Sequence, residues 1–164
     1  MNFFDPACYE NMVHYEDQFG LCDDKNGAKA YVDTSNQNKW IATVINETDI
    51  GITFSAVDKC VIRDDEYPGR GRCDCMLTSS TNEHLYFVEL NTSMKGWVEE
   101  SLQQLESTIA FFREAHDLAK YRHKKTYASN KRFQAFHSNY TEQMQRFYRK
   151  NAVRLEIGNI IKIK

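Results

Sequence analysis

A short hairpin followed directly by a long amphipathic helix, within residues 72–118, constrains the fold of this chain most. Two strand-like runs, 73–78 and 84–90, flank residues 79–83, which read Ser-Ser-Thr-Asn-Glu. Small polar residues of these types favour a tight turn, so the two runs predict an antiparallel hairpin.

The register of this hairpin brings two acidic residues together. A turn centred on residues 79–83 places Met76 opposite Phe87 and Asp74 opposite Glu89, and the alternation of side chains puts all four on one face. Two acids facing each other on a partly apolar surface destabilise a sheet unless something neutralises them. A divalent cation such as Mg²⁺ would do so, because carboxylate oxygens are its usual ligands. The alternative is that the acids lie at a solvated end of the hairpin and pair with Arg72 or Lys95.

The helix after the hairpin is predicted from apolar residues at spacings of four, three, four and three. They are Val98, Leu102, Leu105, Ile109 and Phe112. This spacing produces one continuous apolar face. A helix that covers one face of a hairpin indicates a layered α/β structure.

Other segments complete the predicted elements. Strand-like runs at 40–45 and 50–57 predict a second strand pair, and residues 126–128 predict a central strand. A final helix carries Phe136, Tyr140, Met144, Phe147 and Tyr148. Residues 153–157 and 160–163 then predict a closing hairpin that turns at residues 158–159.

The length of 164 residues indicates one domain, with an N-terminal helix and loop region at 1–38 and a core at 39–164. The segment 8–19 is the predicted N-terminal helix. No stretch has the apolar length of a membrane span, and no secretory signal is visible. The five cysteines show no regular spacing, which favours reduced thiols and a cytoplasmic protein.

The charge is distributed unevenly along the chain. Residues 1–94 hold 7 Lys and Arg against 16 Asp and Glu, whereas residues 95–164 hold 14 against 7, so the two parts carry −9 and +7. An acidic part that gathers metal and a basic part that contacts phosphates would suit a nuclease. The alternative is that the two parts attract each other across the fold or form solvated faces.

Three short stretches together resemble the PD-(D/E)xK nuclease superfamily. Its pattern is an acid at the start of one strand, a hairpin turn, acid-x-lysine near the end of the next strand, and a helix behind the sheet. Asp74 and Glu89 match the two acids, and Asn91 stands in place of the lysine. The layout is most similar to small bacterial members in which a cysteine-aspartate pair, a strand like residues 86–90 and a helix sequence like residues 104–106 recur.

The resemblance implies a restriction-endonuclease-like mixed β-sheet flanked by helices, and a metal-dependent nuclease that acts on DNA. In the superfamily the two acids hold Mg²⁺ or Mn²⁺. Asp74 and Glu89 are therefore the expected metal ligands, with the backbone carbonyl of Leu90 as a further oxygen. Some members add an acid from a helix before the sheet, and Glu10, Glu16 and Asp17 are the candidates for it.

Asn91 leaves three interpretations open, because an amide carries no charge and cannot act as a base near neutral pH. Asn91 itself completes the catalytic set, or a lysine from elsewhere, Lys95 or Lys59, takes that place. In the third interpretation the site is inactive. The protein is then a nucleic-acid-binding or regulatory module in a bacterial defence or toxin-related system, and a protein partner or a homodimer stays open.

A basic and aromatic stretch follows the long helix. Positive charge interleaved with aromatic rings suits contact with a nucleic-acid backbone and with bases. The predicted nucleic-acid contacts are Lys95, Lys124, Lys125, Lys131 and Arg132. The alternative is that the aromatic residues of this stretch belong to the core and that its lysines are only solvated.

Overall fold

The computed structural model describes residues 1–10, 12–133 and 137–164. These residues form nine strands and two α-helices. The strands are β1 (Gln18–Cys22), β2 (Tyr31–Asp33), β3 (Ala42–Asn46), β4 (Ile52–Ala56), β5 (Cys75–Ser79), β6 (His84–Asn91), β7 (His123–Asn130), β8 (Arg154–Ile157) and β9 (Ile160–Ile163). The helices are α1 (Trp97–Ala115) and α2 (His137–Asn151).

The strands form two mixed sheets. One sheet has the order β4-β5-β6-β7-β8, with β4, β5 and β6 antiparallel and with β7 and β8 continuing parallel to β6. The other has the order β2-β1-β3-β9, in which β9 lies parallel to β3. The predicted α/β class is confirmed.

The five-stranded sheet is the central layer. Phe87 on β6 packs in a cluster with α1 residues such as Ile109 and with Phe147 of α2. The next residue, Val88, belongs to a second cluster that includes Phe19 and Val44 of the four-stranded sheet. Successive side chains of a strand point to opposite faces, so β6 is covered on both sides, and all eight of its residues are buried.

The predicted hairpin and its helix are confirmed. Met76 pairs with Phe87 and Thr78 with Leu85, in the register that the turn at residues 79–83 predicts. The predicted central strand at 126–128 lies within β7, which pairs with β6 after the α1 crossover. The most conspicuous local patterns of the sequence therefore form the centre of the sheet.

Two predicted strand pairs are wrong. β3 and β4 belong to different sheets, and the segment 47–51 crosses from one sheet to the other. The segment 158–159 does the same between β8 and β9, which pair in parallel with β7 and β3. In both cases a short polar connection looks like a hairpin turn, but the buried faces of the two strands are satisfied by partners far away in the sequence.

The predicted helix at 8–19 is also wrong. Tyr9 and His14 form isolated bridges to Ser55 and Ile52 of β4, so the chain at these two residues lies along the edge of the five-stranded sheet. The predicted final helix is present as α2, whereas Phe136 lies outside the described residues.

The cysteines differ from the prediction of five reduced thiols. Cys8 and Cys60 form a disulfide that joins the N-terminal segment to the loop after β4. Cys22, Cys73 and Cys75 are free and buried, and burial raises the pKa of each thiol. In the part of the chain that the structure describes, no helix is both long enough and apolar enough to cross a membrane.

Candidate active site

Two acidic side chains meet where the hairpin joins the long helix. Asp74 directly precedes β5, and Glu89 lies near the end of the adjacent strand β6; their exposed fractions are 6% and 8%. The Oδ2 atom of Asp74 accepts a hydrogen bond of 2.6 Å from the backbone N–H of Leu90. Glu89 Oε2 is buried and has no hydrogen-bond partner among the described residues. A buried carboxylate oxygen without a partner is costly, so Glu89 at this position requires a bound proton, a counter-charge or a ligand.

The electrostatics of the pair follow from its burial. Burial raises the pKa of Asp74 to about 7, and the nearby ammonium of Lys25 and the hydrogen bond from Leu90 N–H only partly oppose this. Burial raises the pKa of Glu89 well above its ordinary value, and the charge of Asp74 raises it further. The pair therefore retains protons to a higher pH than exposed acids do, unless a cation replaces them.

Lys25 supplies a positive charge beside the two acids. It lies in the loop between β1 and β2, and its Nζ atom donates a hydrogen bond of 2.6 Å to the backbone carbonyl of Leu90. It also forms an ion pair of 3.3 Å with Asp23. Burial opposes its charge, but the carboxyl groups of Asp74, Asp23 and Glu89 outweigh burial and raise its pKa. The side chain therefore stays protonated at neutral pH.

A cavity of about 300 Å³ opens over the two acids. Its walls come from the loop between β1 and β2, the loop after β4, the start of β5, the end of β6 and one residue of α1. The lining residues are Asp23, Lys25, Gly27, Ala28, Asp58, Lys59, Arg72, Asp74, Glu89 and Gln104. Four carboxyl groups and three basic side chains thus face one space.

Helix α1 fixes the backbone that leads into Asp74. The Oε1 atom of Gln104 accepts a hydrogen bond of 2.8 Å from the N–H of Arg72. The Oγ1 atom of Thr108 accepts one of 2.7 Å from the N–H of Cys73 and donates one to the carbonyl of Gln104. Two successive backbone N–H groups are therefore held by one helix, and this sets the direction in which Asp74 enters the cavity.

The basic residues near the acids have other partners. Arg72 forms ion pairs of 2.9 Å with Asp58 and 2.8 Å with Asp64, and Lys59 lies 3.7 Å from Asp58. Among the described residues, neither Arg72 nor Lys95 forms an ion pair with Asp74 or Glu89. Among those residues the acids have Lys25 as their nearby cation.

The predicted catalytic and metal-binding residues divide into two groups. Asp74, Glu89 and the Leu90 carbonyl come together, and the carbonyl already faces the ammonium of Lys25. Asn91 is buried at the end of β6, where its Oδ1 atom accepts a hydrogen bond of 2.8 Å from the N–H of Ser93. Within the described part of the chain the cavity lining does not include Asn91.

The predicted third acids do not reach the cavity. Glu10 Oε1 accepts a hydrogen bond of 2.7 Å from Val32 N–H, and Glu16 lies 3.3 Å from His14. Asp23 and Asp58 occupy the cavity wall instead. Sequence analysis missed both of them, and it missed Lys25. The run of charged residues at 23–25, in a stretch that predicts only a turn, is the signal that could have indicated this loop.

The five predicted nucleic-acid contacts separate into two places. Lys131 and Arg132 directly follow β7, at the end of the sheet where Asn91 pairs with Asn130, and Lys95 lies on the exposed loop before α1. These three flank the end that carries the acids.

Lys124 and Lys125 lie near the start of β7. They pair with Leu85 and Tyr86 of β6, which lie four and three residues before Glu89. At about 3.3 Å per residue, this places them about 10 Å or more from the acids along the strands.

The described residues include no group of three or more His, Cys, Asp and Glu side chains arranged to hold a metal ion. Comparison with protein-family models, with curated proteins and with solved structures found no match to this chain. The function is therefore inferred from the chemistry of the cavity itself.

Proposed function

We propose that this protein is a Mg²⁺- or Mn²⁺-dependent phosphodiesterase that cleaves DNA in the cytoplasm, with its active site at Asp74 and Glu89. The observation that carries the proposal is the pair of buried carboxyl groups, one directly before β5 and one on the adjacent strand β6, of which Glu89 has an oxygen with no partner among the described residues. Two neighbouring buried acids need compensation, and a divalent cation would supply the part that Lys25 does not.

The oxygen atoms at the site suit Mg²⁺. This ion is usually held by one or two carboxylates, while water and substrate phosphates complete its coordination. Asp74 and Glu89 would hold it, with the Leu90 carbonyl as a further oxygen that already faces a cation. When bound, the ion would polarise the phosphate group and make water easier to deprotonate.

Lys25 fills the role for which the resemblance expects a lysine. Its ammonium group lies at the Leu90 carbonyl, one residue before Asn91, and it is held there by Asp23. A fixed positive charge at this point would orient water and offset the charge that builds on the phosphate oxygens. In this proposal Lys25 is the catalytic cation, whereas Asn91 shapes the end of β6 through its hydrogen bond with Ser93.

The DNA backbone would cross the end of the sheet that carries the acids. Lys95, Lys131 and Arg132 surround this end, and Asn130 Nδ2 donates a hydrogen bond of 2.9 Å to the Ser93 carbonyl, which ties the two basic segments together. Contacts of this kind provide affinity that does not depend on base sequence and that weakens as salt is added.

The second candidate function is an inactive member of the same fold that acts as a binding or regulatory module, alone, as a homodimer or with a protein partner. The hydrogen bond between Lys25 and the Leu90 carbonyl favours it, because an ammonium group already compensates part of the acidic charge. In this case Lys25 would be a structural substitute for the metal ion.

A cleavage assay separates the two functions. Double-stranded DNA, single-stranded DNA and RNA are incubated with Mg²⁺ or Mn²⁺ and with wild type, Glu89→Gln, Asp74→Asn or Asn91→Lys. The proposal expects metal-dependent cleavage by wild type and a loss of at least about 10²-fold in either acid variant. Cleavage by Asn91→Lys alone would identify an inactivated nuclease. No cleavage by any variant would reject the nuclease function for these substrates.

A further inference from the structure

A second charged cleft, here called the basic cleft, lies away from the acid pair, where the chain passes from one sheet to the other. It has a volume of about 410 Å³ and lies between β7 and β8 of the five-stranded sheet and β9 of the four-stranded sheet. Its charged lining residues are Lys125, Lys162, Lys164 and Glu156, and the buried ring of Tyr127 lines it as well.

The basic cleft exists because β8 and β9 do not form a hairpin. The segment 158–159 sends β9 to the opposite sheet, where it pairs with β3, so the outer edges of the two sheets lie side by side and leave a gap. The cleft is also separate from the acid pair. Lys125 pairs with Tyr86, which lies three residues before Glu89 and packs in the cluster on the opposite face of the sheet from that of Phe87.

The lysines of this cleft carry positive charge that the described part of the chain does not neutralise by ion pairing. None of the ion pairs among the described residues includes Lys125, Lys162 or Lys164. Lys125 is half-buried, with its Nζ atom 5.8 Å from the centre of the Tyr86 ring. Burial lowers its pKa, Glu156 opposes that change, and the charges of Lys164 and Arg154 add to it. A bound anion would favour the charged form of this half-buried ammonium group, which burial disfavours.

We propose that the basic cleft binds a phosphate group carried by a ligand of nucleotide size. Three lysines against the single carboxyl group of Glu156 give the lining a net positive charge that suits a phosphate, and a volume of about 410 Å³ lies in the range of pockets that enclose small ligands. The phosphate belongs either to a free nucleotide or to a nucleic-acid strand. This inference does not rest on the activity proposed for Asp74 and Glu89.

Isothermal titration calorimetry in a chelator, which prevents metal-dependent cleavage, tests the basic cleft. The probes are inorganic phosphate, a nucleoside monophosphate and a single-stranded oligonucleotide of about ten nucleotides. The variants are Lys162→Glu combined with Lys164→Glu, and Lys125→Met, which keeps a long side chain over Tyr86. Lys120→Glu reverses one charge on an exposed residue outside the cleft and is the control.

The proposal expects saturable binding of at least one probe by wild type and by Lys120→Glu, and binding at least about tenfold weaker in the cleft variants. Equal binding of the mononucleotide and the oligonucleotide would assign a free nucleotide, whereas binding of the oligonucleotide alone would assign a strand. If Lys125→Met does not fold, the double variant of exposed lysines decides the result. Equal affinities in the cleft variants and the control, or no saturable binding of any probe, would overturn the proposal.

Discussion

At the scale of single residues, the negative charge of the buried acid pair destabilises the folded protein, and the size of this effect depends on pH. Burial raises the pKa of Asp74 from 3.8 to about 7, so the folded protein holds a proton that the unfolded chain has already lost over this range. The free energy of unfolding therefore falls as the pH rises from about 4 to about 7, and it stays lower above that range. Glu89 acts in the same direction, because its pKa is raised too.

The substitution Asp74→Asn removes this charge and keeps an oxygen that can accept the hydrogen bond from Leu90 N–H. In wild type the free energy of unfolding should fall between about pH 5 and pH 8. We expect this fall to be smaller in Asp74→Asn by about 1–3 kcal/mol. Urea denaturation at the two pH values measures it. Asp49→Asn, on an exposed turn, is the control and should follow wild type. An equal change in the free energy of unfolding between the two pH values for Asp74→Asn and wild type would show that the pKa of Asp74 is not raised.

Lys25 provides a second prediction at this scale. Lys25→Met keeps the length of the side chain and removes its charge, so we expect the cleavage rate at saturating metal to fall by about 10²-fold. Lys29→Met, on an exposed lysine of the same loop, should leave the rate within about twofold of wild type. Asn91→Ala should reduce the rate less than Lys25→Met does. A larger loss of cleavage rate in Asn91→Ala than in Lys25→Met would assign the catalytic role to Asn91 instead.

At the scale of elements, α1 acts as a support for the site as well as a cover for the sheet. Its apolar face packs Leu105, Ile109 and Phe112 into the core, and one turn of its surface holds the backbone before Asp74 through Gln104 and Thr108. A single helix thus links the stability of the central layer with the position of a proposed metal ligand.

The substitution Thr108→Val tests this link. Valine has nearly the same shape as threonine, but it leaves the buried N–H of Cys73 without its acceptor, so we expect a loss of about 1–3 kcal/mol in the free energy of unfolding. Cleavage should fall as well, because Asp74 follows directly. Ser107→Ala, at the adjacent and only half-buried position, is the control for both measurements. Equal effects of the two substitutions would mean that the hydrogen bond to Cys73 does not support the site.

Elements with local signals could be predicted from the sequence. The turn at residues 79–83 sets the register of Met76 and Phe87, and the spacing of Leu105 and Ile109 predicts α1, because both signals depend on neighbours a few residues apart. The pairings of β8 with β7 and of β9 with β3 carry no comparable signal. β8 and β9 are parallel to their partners, and the partner of each is separated from it by many residues. Each pairing depends on the burial of a whole strand face and not on a local turn.

The same distinction explains the site. Asp74 and Glu89 were predicted because one hairpin brings them together. Lys25 and Asp23 come from a loop that precedes β5 by about fifty residues, and they reach the acids only because the four-stranded sheet packs on the central one. A cation supplied by another layer of the fold leaves no pattern in the local sequence.

At the scale of the whole molecule, one covalent link joins the N-terminal segment to the loop after β4. The disulfide between Cys8 and Cys60 closes a separation of 52 residues, and it lies next to Lys59, which lines the cavity. Such a link stabilises a fold chiefly by restricting the unfolded chain. Disulfides are rare in reducing compartments, so the redox state of this pair bears directly on the proposed cytoplasmic location.

Removing the link should lower stability only where the link can form. We expect Cys8→Ser combined with Cys60→Ser to reduce the free energy of unfolding by about 2–4 kcal/mol under oxidising conditions and to make little difference in excess dithiothreitol. Cys22→Ser is the control because Cys22 is a free, buried thiol. If wild type and the double variant are equally stable without reductant, Cys8 and Cys60 are not linked in solution.

The central claim is that Asp74 and Glu89 form a site for a divalent metal ion, and calorimetric titration of Mn²⁺ into the protein tests it most directly. At about pH 8, above the pKa of about 7 for Asp74, protons compete less with the metal than they do at neutral pH. We predict saturable binding by wild type with about one ion per chain, and affinity at least about tenfold lower in Glu89→Gln, which has the same shape without the charge. Equal affinity in wild type and Glu89→Gln, or no saturable binding by wild type, would contradict the claim.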